Sequence, residues 1–219
     1  MGRVAVIGVC AVGALACFGP AAASAAPVLE LSTSEGALAP GARLGFLSGK
    51  IFETSEGSVE CPTGLLVGTV TSNSGAKDTV SIAAEAPTGP NGVICRTTTQ
   101  LGSVEVAAGG LPWTQQFVRS GKARLKAATK KLRFTITLPA LFGLQCGYEA
   151  SKIAETFPVA ATGVSIPLQL AVSGQVLLRS AVSSTLCPAQ VVATGSGVPV
   201  IAYGPGSTLL PVQVTRRAA

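Results

Sequence analysis

The sequence of 219 residues contains no histidine, and this absence excludes more chemistry than any other feature of its composition. Without histidine the chain has no Ser-His-Asp or Cys-His catalytic group, no imidazole metal ligand and no imidazole proton shuttle. Charged residues are scarce at 12%, and aromatic residues make up only 5%. The hydrophobic content of 47% nevertheless excludes a disordered tail and is enough to build a core.

Motifs for metal binding and hydrolysis are also missing. Asp78 is the only aspartate, so the clustered carboxylates of a Ca²⁺ or Mg²⁺ site are lacking, and no two cysteines have zinc-site spacing. No serine lies in a Gly-x-Ser-x-Gly motif. Ser74-x-x-Lys77 matches a short motif of penicillin-recognising enzymes, but it falls in a predicted turn that also contains Asp78. We therefore expect no catalytic residue, no metal and no cofactor.

Residues 1–25 have the layout of a secretory signal peptide. Arg3 precedes an apolar run over residues 4–18, and small residues follow at 21–26. The run is shorter than the roughly 20 residues that a membrane-spanning helix needs. We expect cleavage after Ala25 and a secreted or envelope-associated protein with no transmembrane segment. An uncleaved anchor and lipoprotein processing at Cys17 are the alternatives.

Cleavage would leave four of the six cysteines in an oxidising compartment and would lower the net charge from +6 to +5 through the loss of Arg3. Four cysteines allow three disulfide pairings. We favour Cys61 with Cys95 and Cys146 with Cys187, because each pair closes a compact segment. In the chain-entropy model each such loop contributes about 4 kcal/mol to stability.

Short runs of β-branched and aliphatic residues fill the chain between residues 28 and 215, and turn signals interrupt them every 8 to 12 residues. This spacing predicts an all-β fold, an antiparallel sandwich of the Ig-like or jelly-roll-like kind. We expect one domain over residues 26–219, with two related halves meeting near residues 110–150 as a variant. The predicted hairpins pair 65–71 with 79–84 and 198–203 with 208–214, and the other predicted strands are 28–32, 58–61, 92–98, 103–107, 113–119, 142–148, 164–172 and 175–180.

Residues 123–133 allow two interpretations. Leu125, Ala128 and Leu132 would share one helical face. Read with a period of two, Leu132, Phe134, Ile136 and Leu138 point one way, while Lys131, Arg133, Thr135 and Thr137 point the other. We predict two strands joined near residues 127–130, with a short helix as the alternative.

The same segment carries a concentration of basic residues. Seven of the 16 lysines and arginines lie within residues 119–133, and no acidic residue occurs between Glu105 and Glu149. On paired strands these cations would form one face that attracts polyanions such as an anionic cell-wall polymer or surface. Few aromatics accompany them, which argues against specific nucleic-acid recognition. Lysines that merely protect edge strands from aggregation are the alternative. The seven are Arg119, Lys122, Arg124, Lys126, Lys130, Lys131 and Arg133; Lys122, Arg124, Lys126, Lys131 and Arg133 are expected to share the polyanion-binding face.

Acidic residues give the only enzymatic hypothesis. A polysaccharide- or peptide-acting hydrolase would need two carboxylates facing each other across a cleft. Glu53, Glu56 and Glu149 are the candidates, and Glu60 lies close to the first two. An exposed acidic face is the alternative interpretation. For Trp113, the only tryptophan, we expect core packing, with a sugar-stacking platform as the alternative.

The leader, Glu60-Cys61-Pro62, Cys95, Leu111-Pro112-Trp113 and Cys146-Gly147-Tyr148 together resemble uncharacterised exported β-sandwich proteins of GC-rich soil actinobacteria. The resemblance implies export and the fold, and that group brings no activity or catalytic residue. We expect a non-enzymatic binding or structural module of the cell envelope or extracellular space. The alternatives are a weak polyanion-binding protein, the hydrolase, and an inhibitor or toxin-like factor with an exposed apolar loop.

Overall fold

The computed structural model describes residues 28–73, 77–86, 92–128, 131–159, 161–204, 206 and 208–218. These residues are almost entirely antiparallel β structure with one short 3-10 turn at Pro139–Leu141, so the predicted all-β fold class is confirmed. None of them forms a helix capable of spanning a membrane. The strands are β1 (Val28–Thr33), β2 (Gly36–Ala37), β3 (Arg43–Thr54), β4 (Gly57–Ser72), β5 (Lys77–Ala86), β6 (Val93–Thr97), β7 (Ser103–Gly109), β8 (Trp113–Val118), β9 (Lys122–Ala127), β10 (Leu132–Leu138), β11 (Leu144–Ala150), β12 (Ile153–Thr156), β13 (Ser165–Pro167), β14 (Gln169–Arg179), β15 (Gln190–Tyr203), β16 (Leu209–Pro211) and β17 (Gln213–Arg217).

Most strands belong to one large sheet that closes on itself. The strands β3, β4, β14 and β15 are long, whereas β5/β6, β7/β8, β9/β10 and β11/β12 each behave as one long strand with an interruption. β4 pairs with both β5 and β6, and each following interrupted strand pairs with the one before it. β14 pairs with β11, β12 and β15, and β15 pairs back with β3. Neighbours in the chain are therefore neighbours in this ring.

The interruptions occur at one level of the ring. The register between β3 and β4 shifts there between Ser48 and Lys50, and the register between β14 and β15 shifts between Val172 and Gln175. Aromatic side chains fill the interior between the walls. The ring of Phe134 lies 5.5 Å from that of Phe52 and 5.1 Å from that of Trp113, centroid to centroid. Because β3 and β10 are not neighbours in the sheet, the first contact joins opposite walls across the core.

A second, four-stranded sheet in the order β13-β17-β1-β2 covers one end of the ring. Leu29, Leu31 and Val214 of this sheet are at most 1% exposed. Asn73, which follows β4, fastens the sheet to the ring. Its side-chain amide donates to the carbonyls of Leu31 (2.7 Å) and Leu38 (2.6 Å), and its side-chain oxygen accepts from the Leu31 backbone N–H (2.7 Å).

Two disulfides form with the predicted pairing. Cys61–Cys95 joins β4 to β6 with a Cα separation of 4.3 Å. Cys146–Cys187 joins β11 to the connection before β15 with a Cα separation of 5.6 Å. Both separations lie within or close to the usual range for disulfides.

Several local predictions are confirmed and others are wrong. The first predicted hairpin forms, and the second forms over 201–203 and 209–211, whereas residues 213 and 214 of its predicted second strand belong to β17 of the four-stranded sheet. Residues 123–133 contribute to β9 and β10, so the helical alternative is wrong. Strands β3 and β12 were not predicted. Phe142, predicted to begin a strand, lies instead in a turn with φ of 55° and a fully exposed side chain. The signal peptide, Ser74 and Lys130 lie outside the described residues.

Asp78 lies in strand β5 and not in a turn, which corrects the prediction for this residue. Its side chain is fully buried, and neither carboxyl oxygen has a hydrogen-bond partner among the described residues. Burial favours the neutral acid, and the negative charge of Glu30 adds to this effect, so the pKa of Asp78 rises from 3.8 to about 7.

Replacing Asp78 by Asn should therefore change how stability depends on pH. The folded protein keeps a proton on Asp78 that the unfolded chain has already lost between pH 3.8 and about 7. This contribution to stability is fully present below the unfolded-state pKa and is lost as pH rises through the folded-state pKa. Above pH 7 we expect Asp78→Asn to raise the free energy of unfolding, by no more than about 4 kcal/mol, since each pKa unit corresponds to 1.36 kcal/mol.

Urea unfolding of both proteins at pH 5 and at pH 8 measures this effect. Glu35→Gln, which removes the charge of an exposed glutamate, is the control and should leave the pH dependence of stability close to that of the wild type. An Asp78→Asn protein that loses as much stability between the two pH values as the wild type would contradict the assignment.

Candidate anion-binding site

The basic strand β9 exposes its charges as predicted. Lys122, Arg124 and Lys126 are exposed, while Ala123 and Leu125 are buried in the interior of the ring. Strand periodicity explains this arrangement, because alternate side chains of a strand point to opposite faces of the sheet. The three cations therefore lie on one outer wall, about 6.5 Å apart along the strand.

Lys77 extends the same wall, although the sequence analysis assigned this residue to a turn. β5 begins at Lys77, which lies opposite Val118 of β8, and Val118 in turn lies opposite Lys122 of β9. Two strand spacings separate Lys77 from Lys122, which is about 10 Å. The signal that could have identified Lys77 is the alternation of Asp78, Val80 and Ile82 as inward residues, which makes Lys77 an outward one.

A groove with a volume of about 590 Å³ opens on this wall. Lys77, Lys122 and Arg124 contribute its positive charges, and Gln116, Thr156 and Ser173 contribute uncharged polar groups. Among the described residues none of the three cations forms a salt bridge. We call these six residues the basic groove.

The only acidic residue in the lining, Glu155, belongs to the interior of the ring. Its side chain is 5% exposed, and its Oε2 accepts a hydrogen bond from Nε2 of Gln115 at 2.5 Å. Gln115 itself is 1% exposed. The carboxylate is thus held on the inner side of the wall, and the outer charges of the groove are positive.

The other two cations of the predicted face are already paired. Arg133 donates from Nε and Nη2 to Oε1 of Glu149, at 3.1 and 2.7 Å, and Nζ of Lys131 lies 3.2 Å from Oε2 of the same residue. β10 and β11 bring them together, because Arg133 and Glu149 are direct cross-strand partners. The expected five-cation face therefore divides into Lys122, Arg124 and Lys126, which form no salt bridge within the described residues, and a pair partly neutralised by Glu149.

The same contacts bear on the hydrolase hypothesis. Hydrogen bonds from Arg133 and Lys131 hold the pKa of Glu149 below its ordinary value, whereas a general acid needs a raised pKa. Glu53 accepts a hydrogen bond from Thr194 at 3.3 Å, Glu56 lies at the tip of the β3–β4 hairpin, and Glu60 is exposed on β4. In the described part of the chain no three Cys, Asp or Glu side chains form a group that could hold a metal ion.

Trp113 packs in the core, as predicted. It is fully buried, its ring meets Phe134 edge to face, and its indole N–H donates to the carbonyl of Gly109 at 3.2 Å. A buried ring cannot serve as a platform for a sugar, so the sugar-stacking alternative for Trp113 is wrong.

Comparisons with protein-family models, with curated proteins and with solved structures find no match to this chain. The site is therefore interpreted from its own geometry and charge.

Removing the Glu149 carboxylate should release Lys131 and Arg133 for contacts with anions. We expect Glu149→Gln to elute from an anionic resin at a higher salt concentration than the wild type. Glu53→Gln is the matched control, because it makes the same change in net charge at an exposed carboxylate that has no salt bridge among the described residues. Equal elution of the two variants would show that the Glu149 ion pairs do not mask the cations.

Proposed function

We propose that this is an exported, non-enzymatic binding protein that holds an anionic polymer of the cell envelope in the basic groove. The observation that carries the proposal is the convergence of Lys77, Lys122 and Arg124, which have no salt bridge within the described residues, on one groove of about 590 Å³. Two disulfides are compatible with an extracellular location, where such polymers occur.

The spacing of the charges favours an extended ligand over a single small anion. The side chains of Lys122 and Arg124 start about 6.5 Å apart along β9, and that of Lys77 starts about 10 Å from Lys122 across two strand spacings, so the three charges can contact successive anionic groups along a chain. Arg124 can bind a phosphate or carboxylate through two parallel hydrogen bonds, and the two lysines add compact point charges. The ligand class is therefore a linear polymer with repeated phosphate or carboxylate groups.

Binding of this kind depends strongly on salt. Exposed charges separated by more than about 8 Å are largely screened at physiological ionic strength. Each cation that contacts the polymer releases counterions from it. The affinity therefore falls by a fixed factor for each doubling of the salt concentration, and this factor grows with the number of contacts. With three contacts we expect the affinity to fall about 30-fold between 50 and 200 mM salt.

The experiment measures the affinity for fluorescently labelled polyphosphate over a salt series. The triple variant Lys77→Gln, Lys122→Gln, Arg124→Gln should remove most of the binding and flatten the salt dependence. A charge-matched control carries Arg43→Gln, Arg96→Gln and Arg217→Gln, which are exposed residues outside the groove. It should retain the salt dependence of the wild type.

One outcome would contradict the proposal. Equal losses of affinity in the two triple variants would indicate that only net charge matters, and the cations would then serve to keep the sheet soluble. Polyglutamate in place of polyphosphate distinguishes the ligand groups, since tighter binding of polyphosphate assigns the groove to phosphate and tighter binding of polyglutamate assigns it to carboxylate.

A further inference from the structure

The end of the ring opposite the four-stranded sheet has its own cavity. In an up-and-down ring, alternate connections lie at the same end, and the connections β3–β4, β6–β7, β10–β11 and β14–β15 share this one. A cavity of about 110 Å³ opens among them. Its walls are the inward side chains of Val59, Ile136, Leu138, Tyr148 and Val191, and Leu101 lies on the β6–β7 connection. We call this cavity the mouth pocket.

The β14–β15 connection, residues 180–189, borders the mouth pocket on one side and is held in place by several contacts. Cys187 anchors it to β11 through the disulfide with Cys146. The Ser183 hydroxyl accepts from the N–H of Gly147 at 2.7 Å and donates to its carbonyl at 3.1 Å. Arg179 donates to the carbonyls of Cys187 at 2.6 Å and Thr185 at 3.1 Å. The site is thus preorganised, which reduces the entropy cost of binding.

Tyr148 provides a polar group in this apolar pocket. It is 1% exposed and lines the pocket, and among the described residues no side-chain hydrogen bond involves its hydroxyl. Burial raises the pKa of Tyr148 to about 12, and the charge of Glu56 at the rim contributes in the same direction, while Arg179 opposes it. The phenol is therefore a protonated donor whose hydrogen bond a ligand can accept. Tyr148 lines the open pocket, so a ligand acceptor that displaces water from its hydroxyl gains a hydrogen bond in apolar surroundings.

Two threonine hydroxyls at the rim already donate to backbone carbonyls, so they do not compete with Tyr148 as hydrogen-bond donors to a ligand. Thr54 donates to the carbonyl of Gly57 at 2.8 Å, and Thr97 donates to that of Gly102 at 2.8 Å. The charged group of the lining is Glu56, whose carboxylate would repel an anionic ligand. Beyond the rim, loop side chains extend the apolar surface, since Phe142 is fully exposed and Val182 and Leu186 are 86% and 80% exposed.

We propose that the mouth pocket binds an uncharged ligand that inserts a short alkyl group and offers a carbonyl or ether oxygen to the Tyr148 hydroxyl. The volume sets the size, because an apolar protein cavity of about 150 Å³ holds one benzene molecule. A pocket of about 110 Å³ accepts a group of slightly smaller size. This site is independent of the basic groove, and its test uses a different ligand and different variants.

The probe is 2-pentanone, a neutral ketone with a short alkyl chain, and the measurement is an NMR titration of the methyl groups of Ile136 and Val191. We expect saturable shifts with a dissociation constant of about 1 to 10 mM, which is within reach of a ligand of this size. Butanoate, which carries the same propyl group on a carboxylate in place of the methyl ketone, should bind at least several-fold more weakly because of Glu56.

Three variants locate the site. Tyr148→Phe should weaken binding of 2-pentanone about 3- to 10-fold, the usual effect of losing one hydrogen bond, and should leave thermal stability equal or higher, because no side-chain hydrogen bond among the described residues involves the hydroxyl. Leu101→Trp, which fills the mouth from a partly buried loop position, should abolish binding. Leu209→Trp makes the same change on β16, outside the pocket, and should bind as the wild type does.

The proposal would be overturned by linear, non-saturating shifts, by equal binding in the Leu101→Trp and wild-type proteins, or by butanoate binding as tightly as the ketone. A large loss of stability in Tyr148→Phe would also contradict it, since the hydroxyl would then have a structural role. The variants in the basic groove should leave this titration unchanged, so failure here is distinct from failure of polyphosphate binding.

Discussion

The pairing of β3 with β15 is the constraint on which the rest of the structure depends. These are the first and last strands of the ring, and their register runs from Leu44 with Ala202 to Glu53 with Val192. Without this pairing the sheet would have two long edges with unsatisfied backbone groups, which invite aggregation. With it, the inner face is shielded from water all round, and a chain with few charges can bury its apolar side chains on that face.

Closure also explains how a chain with so few aromatics is stabilised. Seven of the nine aromatic residues in the described part of the chain are buried, and three of them, Phe52, Trp113 and Phe134, meet in the middle of the core. Rings placed between opposite walls fill volume that the small residues Ala and Gly leave empty. Most of the described aromatic side chains therefore lie in the interior, and few are exposed at the surface to stack on sugars or bases.

The sequence predicted features that depend on the residue pattern within one strand. It did not predict features that depend on the pairing of strands distant in the chain. The alternation in β9 and β10 predicted which charges face outward, and the cysteine spacing favoured the correct disulfides. β3 escaped prediction because Gly45, Ser48 and Gly49 interrupt its apolar pattern, and its strand structure depends on β4 and β15 at either side. Equally, the neutralisation of Arg133 follows from its register with Glu149, which no local pattern contains.

Asp78 is a further case of tertiary structure overriding a local preference. Aspartate beside a Ser-Asn-Ser-Gly segment is typical of a turn. Here β5 starts one residue earlier, so the period-two alternation that buries Val80 and Ile82 buries Asp78 as well. The cost of that burial is reduced by protonation, because the pKa of about 7 keeps much of the carboxyl neutral near neutral pH.

A closed sheet with a filled interior restricts where a ligand can bind. The internal void beside Gln115 and Glu155 has a volume of only about 10 Å³, which is too small for a ligand, and the two proposed sites lie on the outer wall and at the end that the four-stranded sheet leaves open. The basic groove and the mouth pocket occupy these two places, and they draw on different strands, β5, β8, β9, β12 and β14 for the groove and β3, β4, β6, β10, β11 and β15 for the pocket. The interruptions at mid-height separate β5 from β6, β8 from β7, β9 from β10 and β12 from β11. Charge on the wall and shape at the mouth can therefore change independently, while the long strands β3, β4, β14 and β15 keep both halves in one ring.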